Sequence, residues 1–445
     1  MTYFVMVMLP ENVAVKIYRD TNGHNFPLIV SSGLPVCLWL NAFLNGNHNS
    51  PLSVEKKSIS SQAPAFHTLK KYAYELKFLY CYFIGLGIDL VGRVNTGEFL
   101  SRQEVDDFVR ACKFYADDTP THENNIITIS DKRIRDAIHA TSNSQPQVSA
   151  HTFRQRLIRL RAYIEYLYVC HHYDQESTNT QTRVTEQFNK FRLYINTFIS
   201  GARKNNTVVK DAFESVIPSG KFFYLLEIIK ESSPDNPFKS SKLRNQIVMQ
   251  ILINTGVRVG AVLKLKISDL IDDWDTPRFL LTRTPNDPAD PRLERPSNKT
   301  KALSVSISPM LMKLIKLYIQ TVRAENPTAC EHDFVFISEK GTTAGQPLSY
   351  KSIHKIVDKF GGSLGIQLHP HKLRHKWNEV FEDKAKEYGL TPEKIEDLRK
   401  YAMGWVQDSN MASVYNEYQL AVTVADISSK TQSKAVPHLG GHHEQ

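Results

Sequence analysis

A chain of 445 residues with 55 Lys plus Arg against 46 Asp plus Glu carries a formal net charge of +9. Hydrophobic residues make up 41% and charged residues 23%, which excludes disordered, collagen-like and low-complexity proteins and leaves room for two or three globular domains. The basic surplus points to a polyanionic partner, of which nucleic acid is the commonest.

The five cysteines, Cys37, Cys81, Cys112, Cys170 and Cys330, are widely spaced and form no C-x-x-C pair. Neither a disulfide framework nor a zinc knuckle is expected, and a reducing compartment suits them. The first ten residues are briefly apolar but lack a basic n-region and a small-residue cleavage site, so they do not predict a secretory signal. Residues 27–44 and 76–91 are the most apolar longer stretches, yet Ser, Asn, Gly, Lys or Asp interrupt them. They read as core, not membrane. A cytoplasmic protein without a membrane partner is the expectation.

In chain order, residues 13–19 alternate as a strand, Thr21-Asn-Gly-His24 supplies a turn, and residues 26–30 give a second strand. A polar link, 45–63, closes this small strand-bearing segment, taken as 1–62. From His67 the pattern turns helical through Leu69, Tyr72, Leu76, Leu79 and Tyr80. Residues 116–147 read as loops around one short helix, 130–140. The next helix, 152–168, carries Arg154, Arg156, Arg159 and Arg161 among Phe153, Leu157, Leu160, Ile164 and Leu167. Those arginines are expected to line a DNA-binding face while the leucines pack inward.

A helix over 185–202 completes a helical domain, 63–203, and residues 204–220 form the linker. Beyond it, helices are predicted over 222–231, 241–255, 309–321, 350–360, 371–388 and 392–401, with strands over 278–283 and 302–307. The predicted C-terminal domain, 221–430, is therefore mostly α with one small sheet. Residues 431–445, with His438, His442 and His443, read as a loose tail.

Three stretches after the linker carry chemistry. Thr255-Gly-Val-Arg258 puts an arginine at a junction of two predicted helices, where its fork of donors can meet an anion. In His369-Pro-His371-Lys-Leu-Arg374-His375, a helix starting near Pro370 places His371, Arg374 and His375 on one face. H-x-x-x-H can bind zinc, but it needs a third ligand and the Glu of H-E-x-x-H is missing. An arginine beside a histidine suits a phosphate better, and no metal is expected. The third stretch runs Met403-Gly-Trp405-Val-Gln-Asp-Ser409-Asn-Met411-Ala-Ser-Val-Tyr415-Asn-Glu-Tyr418. Met411, Tyr415 and Tyr418 share a helical face, a pattern that also describes a core stripe.

The order Arg, His-x-x-Arg, Gly-Trp, Tyr resembles the tyrosine recombinase (lambda-integrase) family over residues 222–425. The resemblance implies a multidomain C-shaped clamp around DNA, with 63–203 as a helical core DNA-binding domain and 221–430 as the C-terminal catalytic domain, mostly α with a small antiparallel sheet. It implies Arg258 and Arg374 as the two catalytic arginines and His371 as the box histidine. Trp405 stands where the family has His or Trp. Tyr415, ten residues after Trp405, becomes the nucleophile, with Tyr418 as the alternative. Lys299, in a turn before a Pro-led helix, becomes the catalytic lysine, with Lys301 as alternative and as DNA contact. Two features depart from the family. Ala261 occupies a usually acidic position, and residues 284–297, with four prolines, lengthen the lysine turn.

The chemistry itself can be argued from the side chains. Two arginines can clamp the charge that builds on a phosphodiester during transfer. A tyrosine hydroxyl needs a base, for which His371 is the candidate, and the leaving 5′-oxygen needs a proton that a lysine can supply. Trp405 can exclude water and donate its indole N–H. Energy stored as a 3′-phosphotyrosine calls for no cofactor. The expected activity is site-specific recombination by the integrase or transposase of a mobile element. Its expected partner is duplex DNA with specific sites, in a bacterial or archaeal nucleoid. A homodimer per core site and a homotetramer in the synaptic complex are implied by the resemblance, as is docking of residues 420–427 on a neighbouring protomer. The alternatives are a type IB-like topoisomerase, a non-catalytic DNA-binding regulator, and a zinc hydrolase using His369, His371 and His375.

Overall fold

The computed structural model describes residues 12–46, 64–114, 147–172, 179–202, 216–273, 275–284, 287–297 and 301–405, with single positions 424 and 428. The chain divides into two units, Met1–Val208 and Val209–Gln445. The predicted helix over 130–140, the tail and, apart from Val424, the segment 420–427 lie outside the described residues.

In the first unit, β1 (Ala14–Arg19) and β2 (Asn25–Ser31) pair antiparallel, and β3 (Leu34–Pro35) adds to β2. The Asp20 carboxylate accepts the His24 amide at 2.7 Å across the turn, and Gly23 takes the positive φ of 80° that the turn needs. Helix α1 (Leu38–Asn45) is tied to β2 by the buried Asn41, whose side chain accepts from Ile29 N–H and donates to Ile29 C=O. An amide side chain thus completes a strand edge that would otherwise leave buried polar groups unmade. This piece does not stand apart. Ile29, Leu40, Phe43 and Leu44 share one core with Leu76, Phe83, Leu160 and Leu167.

The remaining helices of this unit are α2 (Phe66–Gly85), α3 (Leu90–Asn95), α4 (Arg102–Ala111), α5 (Ala150–His172) and α6 (Asn179–Gly201). A capping box, Ser101 with Glu104, starts α4.

The arginines of α5 correct the expectation of a single DNA-facing row. At about 100° per residue, Arg154 and Arg161 fall on one side of a helix and Arg156 and Arg159 on the other. Arg159 is 3% exposed, pairs with Glu75 at 3.1 Å and lies over the Tyr72 ring. Arg156 donates to the carbonyls of Cys112 and Phe114, at the C-terminal end of α4, and stacks on Phe78. Arg161 bonds Asn196 at 2.6 Å. Arg154 is exposed and donates to Ile199 C=O. Arg159 is therefore part of the core.

In the second unit, α7 (Ser219–Ile228) precedes α8 (Lys242–Thr255), whose Ile247, Val248, Met249 and Ile251 are fully enclosed. Buried around most of its circumference, α8 is the central helix of this unit. A short α9 (Val259–Lys264) follows. Next comes the antiparallel sheet β4 (Leu270–Ile271), β5 (Arg278–Leu281) and β6 (Leu303–Ser306). Phe279 pairs with Val305, and both face the core. The sheet is followed by α10 (Pro309–Tyr318), α11 (Tyr350–Ser363), α12 (Pro370–Glu387) and α13 (Pro392–Met403). Ser308, His369 and Thr391 cap three of these helices, each followed by proline at the first helical position.

Mostly helical, with a small antiparallel sheet in each unit, the chain has the expected fold class. Among the described residues no helix is long and apolar enough to cross a membrane.

Arg159→Ala leaves the Glu75 carboxylate in the core beside Lys71, which is 3.6 Å away and itself exposed. In urea titrations it should cost about 3 kcal/mol of unfolding free energy. Arg154→Ala should cost less than about 0.5 kcal/mol.

Candidate active site

The site begins where α8 ends. Gly256 adopts a left-handed φ of +60° and returns its amide to Leu252 C=O at 3.2 Å. A Cβ here would lie 2.8 Å from the Trp377 ring and 2.9 Å from the Met403 methyl, so conformation and space both demand glycine. Two residues on, Arg258 sits in extended backbone as the N-cap residue of α9. It stands between the carbonyl end of one helix and the amide end of the next.

On α12, the His369 Nδ1 accepts the Lys372 amide at 3.3 Å, which commits that ring to capping. Arg374, 3% exposed, donates to the Gly256 carbonyl, and its guanidinium carbon lies 5.9 Å from the Trp405 ring centroid. The arginine box and the histidine box are thus joined by a buried hydrogen bond across 118 residues of sequence. His371 and His375 meet edge to face with ring centroids 4.6 Å apart. Among the described residues, no three His, Cys, Asp or Glu side chains gather as a metal site.

Partial burial, and then the charges of Arg374, His369 and Arg258, hold the His371 pKa below the ordinary histidine value. For His375, burial and then His371, His369 and Arg374 push it down to about 4. Both rings are therefore neutral near pH 7, and His371 has the state a proton acceptor needs.

Helix α13 closes on Gly404, left-handed at φ 61°, with Trp405 N–H donating to Lys400 C=O at 2.9 Å. Trp405 is 6% exposed and packs with Met403 and Trp377 in a cluster of its own. The Lys301 amide donates to Gly404 C=O at 3.1 Å, which brings the approach to β6 beside Trp405. Arg258, His371, Arg374, Trp405 and the backbone of Lys301 thus belong to one linked site. Lys299, Tyr415 and Tyr418 lie outside the described residues.

Sequence reasoning passed over Trp377. Its indole N–H donates to Asn254 C=O at 2.9 Å and its ring walls Gly256. A tryptophan two residues after His375 carried no motif signal, because its role depends on a glycine more than a hundred residues away.

Residues 224–385 match the phage integrase family. Arg258, His371 and Arg374 lie within the match, and Trp405 and Tyr415 lie beyond its end. Transposase A from transposon Tn554 of Staphylococcus aureus is 31% identical over 132 residues, covering 30% of this chain and 34% of the transposase. Tyrosine recombinase XerA of Pyrococcus horikoshii is 26% identical over 138 residues, covering 31% of this chain and 41% of XerA. The chain thus spans well under half the length of these relatives. The crystal structure of XerH site-specific recombinase bound to palindromic difH substrate, a post-cleavage complex, aligns at 17% identity and a TM-score of 0.49. That alignment covers 82% of this chain and 80% of XerH.

The histidine shifts set a pH dependence. A folded-state pKa lowered from 6.5 means that the unfolded chain binds more protons between the two values. Stability is then full above pH 6.5 and falls as the pH drops through that window toward 4. Urea midpoints for the wild type should fall more between pH 7 and pH 5 than those of His375→Gln.

Proposed function

We propose that this protein is a site-specific DNA recombinase, the integrase or transposase of a mobile element, that cuts and rejoins strands through a 3′-phosphotyrosine. What carries this reading is the linked site. Buried Arg374 is tied to Gly256 C=O, two residues before Arg258, and the charges of both arginines act on a histidine kept neutral.

In this mechanism the scissile phosphate rests against Arg258 and Arg374, whose donors meet the charge that grows on the non-bridging oxygens. His371 takes the proton of the Tyr415 hydroxyl as its oxygen attacks phosphorus. The P–O5′ bond breaks, and Lys299 or Lys301 protonates the departing oxygen. Trp405 walls the pocket against water, so a 5′-hydroxyl of a second strand reverses the step in place of hydrolysis. Duplex DNA is held mainly through phosphates, in keeping with the net charge of +9. A clamp on DNA, two protomers per core site and four in the synaptic complex complete the proposal.

The names of the relatives, a transposase and a tyrosine recombinase, favour this reading over a relaxing topoisomerase or a non-catalytic regulator. His369, engaged as a helix cap, is a poor third ligand for a zinc hydrolase.

The test uses labelled DNA carrying the element's ends with a nick just 3′ of the cleavage position, so that the adduct is trapped. Wild type should form a covalent adduct in EDTA, and Tyr415→Phe should form none. Loss in Tyr418→Phe alone would move the nucleophile by one helical turn. Arg374→Ala should slow adduct formation by about 10²-fold or more.

A further inference from the structure

Within 284–297, which the sequence presents as an overlong turn, Thr284 and residues 287–297 form a strap along α9. At the C-terminal end of α9, the Lys264 ammonium donates to the carbonyl and hydroxyl of Thr284. Lys266 then pairs with Asp287 at 2.8 Å. Asp290, 1% exposed, receives a two-pronged bond from Arg292 at 2.8 and 2.7 Å. The same guanidinium donates to Leu263 C=O at 3.0 Å and Leu348 C=O at 2.6 Å. Toward the other end of α9, the Ser297 carbonyl lies against Gly260, where a Cβ would come within 2.3 Å of it. The Tyr350 hydroxyl approaches that carbonyl at 3.5 Å.

The strap therefore runs back along α9 from Lys264 to Gly260, two residues from Arg258. Its exit at Ser297 is anchored there, and the chain is anchored again where Lys301 N–H meets Gly404 C=O beside Trp405. Buried ion pairs and orphan-carbonyl contacts of this kind fix geometry more than they add stability.

We infer that the strap is a positioning device for proton delivery, in which Arg292 and Gly260 fix Ser297, two residues before Lys299 and four before Lys301 in the sequence, and hence the reach of the lysine to the leaving oxygen. This rests on the recombinase reading above. In the step concerned, the Tyr415 O–P bond forms, P–O5′ breaks, and the lysine proton passes to O5′ while His371 holds the tyrosine proton.

The test is single-turnover adduct formation by the full chain on two trapping DNAs, one with the natural 5′-oxygen and one with sulfur at that bridging position. A thiolate, with a conjugate-acid pKa of about 8.5, departs without a proton. Gly260→Ala, and the milder Arg292→Lys, should slow the oxygen substrate by about 10²-fold and about tenfold. Both should stay within about threefold of wild type on sulfur, because the need for a general acid is gone. Equal slowing on both substrates would make the strap merely structural and overturn the inference, as would no slowing on either. If Gly260→Ala does not fold, Arg292→Lys decides by the same ratio. A wild type that forms no adduct with either DNA would remove the recombinase reading itself, a result distinct from failure of the strap variants.

Discussion

The hydrogen bond from Arg374 to the Gly256 carbonyl is the contact on which the site depends. The last carbonyls of a helix have no intrahelical partner and carry the negative end of its dipole. A buried guanidinium is a strong partner for such a group, and here it comes from a helix that starts more than a hundred residues later. Gly256 makes the contact possible by turning left-handed and by leaving room for Trp377 and Met403. With that carbonyl engaged, Arg258 is set at the start of α9 and Trp405 is placed against the Arg374 side.

Electrostatics then divides the labour. Arginine stays charged in any surroundings, so Arg258 and Arg374 supply permanent positive charge. Burial first, and then the charge of Arg374, joined at His371 by that of Arg258, keeps His371 and His375 neutral. A site that must hold an anion and also accept a proton needs both kinds of group, and like-charge repulsion between them sorts their protonation states without any acidic residue. Ala261, buried at the position where the family usually carries an acid, is compatible with that arrangement.

Local signals were most legible where they are self-contained. Ser308-Pro309, His369-Pro370 and Thr391-Pro392 mark helix starts by side-chain caps followed by proline, and the helices begin there. The strands expected over 278–283 and 302–307 came out only shortened, to Arg278–Leu281 and Leu303–Ser306. The arginine row of α5 misled because charge was read without helical phase. Helical phase puts Arg156 and Arg159 on the side where Phe78, Tyr72 and Glu75 wait. Where the N-terminal strand pair packs was not legible, because its partners, in α2 and α5, come after a polar link. The four-proline stretch read as a lengthened turn because nothing in its composition reveals that Asp290 would be buried or that Arg292 would bond the Leu263 carbonyl of α9.

The sequence by itself determined the helix-rich class, the placement of caps and turns, and the membership of Arg258, His371 and Arg374 in a common pattern, because these follow from spacing and backbone chemistry within a few residues. Only the tertiary structure decided that Arg374 meets the Gly256 carbonyl, that Trp377 walls the same glycine, and that the segment 287–297 lies along α9. Those outcomes depend on which buried donor finds which orphan acceptor across a hundred residues of chain, and the cost of leaving either partner unpaired in the core selects one pairing in a way that local sequence cannot.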